Sequence, residues 1–74
     1  MQTTRKPTVA AKALEAMAAR TEAHAKDSHA AWIVCGNHDA YDKAMQQVYV
    51  LRRAAAEQSI YVRREMLRNA GIDA

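Results

Sequence analysis

Two long stretches of this chain place apolar residues at alternating three- and four-residue steps. In the first, Ala10, Leu14, Met17, Thr21, His24, Ser28, Ala31 and Cys35 form a stripe that Ala18, Ala25 and Trp32 widen. Lys12, Glu15, Glu22, Lys26 and Asp27 fall on the opposite side. This period predicts an amphipathic helix. It begins near Thr8, or one turn earlier with Thr4 as cap and Pro7 in the first turn. Ala and Ser dominate the middle of the seam, so a partner helix can approach closely while burying little apolar area. At the end of the stretch Trp32, Ile33, Val34 and Cys35 point in four directions and are all apolar, which predicts cover on more than one side. A short strand over 32–35 is the alternative, because Ile and Val favour β structure. Helix is the preferred reading.

The second stretch predicts a helix from about Asp39 to about Asn69. Its main stripe is Tyr41, Ala44, Met45, Val48, Leu51, Ala55, Ser59, Val62 and Met66. About a third of a turn away lie Tyr49, Ala56, Ile60 and Leu67, with Val50 and Tyr61 further round. Two apolar faces imply two neighbours. One is the first helix; the other is a second copy or a different protein.

Cys35-Gly36-Asn37-His38-Asp39 separates the two stretches. Gly36 and Asn37 are residue types that end helices in a left-handed turn, and Asp39 suits the cap of the next helix. No other Gly occurs before Gly71 and no Pro after Pro7. The expected fold is therefore all-α: a two-helix antiparallel hairpin over 8–70 with its turn at 35–39. A flexible tail, 1–7, precedes it and a short tail, 71–74, follows. Two such hairpins fit together as a four-helix bundle.

Size supports that expectation. A chain of 74 residues buries only about 60% of its unfolded surface and needs help from disulfides, metal or oligomerisation. With one Cys an internal disulfide is excluded, and a reducing compartment is implied. The start of the chain does not read as a secretory signal. The longest run without a polar side chain, 30–35, is far short of the ~20 residues that span a bilayer. The expectation is a soluble, cytoplasmic homodimer with no membrane contact.

The net charge of +3 is unevenly spread. Residues 27–42 carry Asp27, Asp39 and Asp42 with no Lys or Arg, while both flanking stretches are basic. In an antiparallel hairpin the turn end is acidic and the open end basic. Part of this suits helix dipoles, with Asp39 and Asp42 at an N-terminus and Arg68 at a C-terminus.

Candidate chemistry is sparse. Trp32-Ile33-Val34-Cys35-Gly36-Asn37-His38-Asp39 resembles one motif of the calcineurin-like metallophosphoesterases, in which a hydrophobic strand leads into Gly-Asn-His-Asp. The resemblance implies roles for Asn37 and His38 at a dimetal site and its transition state. It covers eight residues, and the family's Asp-x-His, Gly-Asp and later His motifs are absent from the sequence. Two-metal chemistry needs several ligands on a rigid scaffold, so the match is read as turn chemistry. Cys35, His38, Asp39 and Asp42 are the conceivable zinc ligands, but they lack paired Cys-x-x-Cys or His-x-x-x-His spacing. His24 lies on the stripe and His29 on its rim, neither with an evident triad partner. The expectation is no enzyme, no metal and no cofactor.

Arg52-Arg53 and Arg63-Arg64 lie eleven residues apart, three helical turns, with Arg68 beyond and Tyr49, Ile60 and Tyr61 interleaved. Arginine with aromatic neighbours fits docking on an acidic protein surface. Arg52, Arg53, Arg63, Arg64, Arg68, Tyr49 and Tyr61 are the expected partner-binding residues. Trp32, Ile33, Val34, Tyr49, Ile60 and Leu67 are the expected dimer interface. Small binders of this kind act by masking a partner, as phage and mobile-element inhibitors and anti-activators do. The alternative is a nucleic-acid-associated transcription regulator that uses the paired arginines on phosphates. Against it, the chain has neither helix-turn-helix spacing nor a basic region leading a heptad zipper.

Overall fold

The computed structural model describes residues 9–72. Within them the chain is all-α, with three helices: α1 over Ala11–Val34, α2 over Asp39–Ala56 and α3 over Ile60–Asn69. The expected 1–7 tail, Thr8 and residues 73–74 lie outside the described residues; α1 begins at Ala11, later than the expected start near Thr8, because Ala10 ahead of it is extended, with ψ 149°. α1 and α2 form the antiparallel pair that the periodicity predicts. Residues 32–34 are helical and the strand alternative does not occur.

The turn is built as expected at Gly36 and differently at its neighbours. Gly36 takes φ 81°, and its N–H donates to the carbonyl of Ile33 at 3.0 Å while Asn37 N–H donates to Trp32 at 2.8 Å. This pair of bonds is a Schellman cap, which needs a residue in the left-handed region. Asn37 itself stays at negative φ. Asp39 is the first residue of α2 rather than its cap; His38 holds the cap position without a side-chain bond. Asp39 and Asp42 in the first turn still complement the helix dipole.

The continuous helix expected over 39–69 is interrupted at Glu57-Gln58-Ser59. Glu57 is extended, with ψ 128°. Its Oε1 accepts from Ser59 N–H at 3.1 Å, and Ser59 Oγ caps α3 by accepting from Val62 N–H at 3.3 Å. Side chains that bond nearby backbone groups offer an alternative to the helical ladder. Tertiary burial adds to this: folding α3 back along α2 brings Leu67 to 2% exposure in the core. Fully burying such a side chain is worth about 1.5–3 kcal/mol. The two-helix hairpin is thus corrected to three helices, and Leu67, expected at a dimer interface, is a core residue. Gly71 closes α3 with a second Schellman cap, Ile72 N–H donating to Leu67 at 2.9 Å and Gly71 N–H to Arg68 at 3.0 Å. Ile72, expected in a tail, packs against the core.

That core lies at the open end, here called the base. Leu14 and Ala18 of α1, Val48, Leu51, Ala54 and Ala55 of α2, and Leu67 of α3 form one cluster. Ala18 and Ala25 are fully buried, so the α1 seam runs from Leu14 of the expected stripe through Ala18, Ala25 and Trp32, the set expected only to widen it. The rotation leaves His24, Ala31 and Cys35 exposed. None of residues 26–47 is fully buried. The molecule is elongated, 53 × 21 × 16 Å, with a packed base and a thinly covered tip.

Candidate functional site

Side-chain pairs define the two broad faces of the hairpin. Arg52 of α2 donates to Glu22 of α1 at 2.9 Å, and Lys26 sits 3.4 Å from the same carboxylate. The Arg52 guanidinium, with Lys26 beside it, holds the Glu22 carboxyl below the usual carboxylate range. This ion pair marks the front face. On that face Met45, Val48, Tyr49, Arg52, Arg53 and Ala56 line an open groove of about 370 Å³. Tyr49 is 57% exposed. The Arg53 guanidinium lies 5.9 Å from its ring centre and donates to its hydroxyl at 3.4 Å. Ile33 is 50% exposed and is eleven residues, three turns, from Glu22, so it shares that side of α1 at the tip.

α3 occupies the back. Its end meets α2 at a second groove of about 490 Å³, lined by Lys43, Gln46, Gln47, Val50, Met66, Asn69 and Ala70. Arg63 turns inward. Its Nε donates to the Ala54 carbonyl at 2.9 Å, Nη2 to Glu57 at 2.7 Å and Nη1 to Val9 at 3.2 Å. Ala54 lies in the last turn of α2, where its carbonyl also accepts from Glu57 N–H at 3.2 Å, and Glu57 is the residue that caps the helix.

The expected site residues therefore separate into three groups. Arg52, Arg53 and Tyr49 share the front face. Tyr61, Arg64 and Arg68 belong to α3, with Tyr61 exposed and Arg68 3.5 Å from Glu65. Arg63 is committed within the chain and Leu67 is buried. Of the expected dimer interface, Ile33, Val34 and Ile60 are exposed, while Trp32 is half-buried, its ring T-shaped to that of His24 with centres 5.8 Å apart. His29 stacks on Tyr41 at 4.1 Å across the tip. Sequence spacing alone does not reveal the Arg63 staple, because only the break at 57–59 brings its three acceptors together.

Among the described residues, no group of three or more His, Cys, Asp or Glu side chains is arranged to hold a metal ion. Among them, no helix is long and apolar enough to cross a membrane. No protein-family model, curated protein or solved structure matches this chain.

Proposed function

We propose that this chain is a non-enzymatic protein-binding module that self-associates and docks on an acidic surface of a partner protein, modulating or inhibiting it. The observation that carries this reading is the outward side of α3. Tyr61, Arg64 and Arg68 follow at three- and four-residue steps, which places them along one side of the helix. Tyr61 is 77% exposed, between Ile60 and Val62, which are also exposed. The inner side of α3 serves the fold through Leu67 and Arg63. An exposed Tyr beside arginines has the composition of an interface hot spot, and arginine matches carboxylates in a planar fork. The nucleic-acid reading has less support. It needs Arg52, Arg53, Arg63 and Arg64 as one basic surface, whereas Arg63 is turned to backbone carbonyls and Arg52 to Glu22.

Affinity capture from the source cell tests the reading, with the wild-type chain compared against a Tyr61→Asp/Arg68→Glu variant of equal helicity. A protein held by the wild type and lost at least about tenfold by the variant is the expected result, since hot-spot truncation costs about 2 kcal/mol or more. Equal capture by both contradicts α3 as the docking side. Retention of duplex DNA of any sequence, with a salt slope that falls by about one per arginine removed, would transfer the function to nucleic acid.

A further inference from the structure

We infer that the front face of α2 is the seat of a second copy of this chain, docked antiparallel about a two-fold axis near Tyr49. The inference rests on the self-associating reading above and supplies its geometry; it does not depend on α3.

Charge layout picks the occupant. Met45, Tyr49, Arg53 and Ala56 line the front groove, and Asp42, seven residues or about two turns before Tyr49, extends that stripe toward the tip: acid toward the tip, apolar in the middle, base toward the open end. Asp42 and Arg53 are both exposed. A two-fold axis crossing at Tyr49 reverses the second helix. Each Tyr49 then meets its own copy, Met45 meets the stem of Arg53, and Asp42 meets Ala56. Asp42 of one copy comes within about one helical turn, 5.4 Å, of direct opposition to Arg53 of the other, a gap two flexible side chains close. The operation produces that contact twice. A parallel pairing would instead stack Arg53 on Arg53 and Asp42 on Asp42, and like charges repel.

The first helix agrees. The Glu22–Arg52 pair fixes which part of α1 lies beside which part of α2. Under the same rotation Lys26 of one copy falls near Glu22 of the other. The antiparallel arrangement also opposes the dipoles of the two α2 helices. The broad face, 53 × 21 Å, accommodates the roughly 800 Å² per partner that a stable interface buries. Two hairpins stacked front to front make four long helices, with each α3 on an outer back surface.

Charge reversal read by sedimentation equilibrium tests this. Asp42→Arg and Arg53→Asp should each raise the dimer dissociation constant about tenfold or more, since close interfacial charge pairs couple strongly. The double variant Asp42→Arg/Arg53→Asp should recover most of the loss. Each change also opposes the α2 dipole, so simple weakening of the helix would make the double variant worst of all; circular dichroism on every variant separates the two effects. A wild-type chain that is monomeric at about 100 μM, or a double variant no better than the worse single one, overturns the proposal. A foreign acidic partner lost by Arg53→Asp from a monomeric chain would give the groove to that partner instead. Tyr61→Asp/Arg68→Glu should leave the dimer intact, so failure of the α3 reading and failure of this one are distinguishable.

Discussion

The guanidinium of Arg63 donates to carbonyls from three separate places: the last turn of α2, the break after it and the segment ahead of α1. A planar fork with five donors can serve such divergent acceptors; an ammonium on a flexible stem cannot serve all three at once. Arg63→Ala should therefore lower unfolding stability by about 1.5–3 kcal/mol, the range for hydrogen bonds involving a charged group. Arg63→Lys should recover only a fraction. Urea denaturation at one fixed protein concentration measures both, and a fully stable Arg63→Lys variant would contradict the fork. In sequence Arg63 is indistinguishable from Arg64, Arg52 or Arg53. Its role depends on acceptors up to 54 residues away, which no local pattern encodes.

At the scale of elements, α1 and the Gly36 turn were legible because each rests on a local rule. An Ala-rich amphipathic period makes a helix, and a Gly in the left-handed region ends it. The α1 seam was legible only to within a fraction of a turn. Its residues are mostly Ala, so the stripe through Leu14, Met17 and His24 and the one through Leu14, Ala18 and Ala25 differ little in apolar content. The break at 57–59 was not legible. It contains neither Gly nor Pro, and Ser59 falls on the expected stripe, where it reads as a small seam residue. Its hydroxyl caps α3 instead. Ser59→Ala should cost about 1 kcal/mol, and Ser59→Asp should be tolerated because Asp caps as well as Ser. Thermal or urea unfolding of the two variants checks this; a Ser59→Ala chain as stable as the wild type would show that the cap does not hold the break. The break places Leu67 and Arg63 in the fold and Tyr61 outside, so the role of each α3 residue depends on an element boundary that the local pattern does not encode.

At the scale of the whole molecule, stability is concentrated at one end. The base holds the cluster of Leu14, Val48, Leu51 and Leu67, while the tip relies on half-buried Trp32 and Tyr41 with Ile33 and Val34 exposed. A short chain with such a tip gains from a neighbour that covers it. An antiparallel copy brings the firm base of one chain alongside the tip of the other. The single cysteine, Cys35, is exposed at the tip and gives the most direct test. Spin labels attached there, in the otherwise unaltered protein, report the distance between tips by pulsed dipolar spectroscopy. Asp39 is ten residues, about 15 Å, from Tyr49 along α2. Cys35 lies just beyond it, so a two-fold axis at Tyr49 predicts tips separated by about 30–40 Å. A separation below about 20 Å would mean a parallel pair, and no dipolar coupling between chains at about 100 μM would mean no pair; at 1.5 Å of rise per residue neither is compatible with the antiparallel dimer.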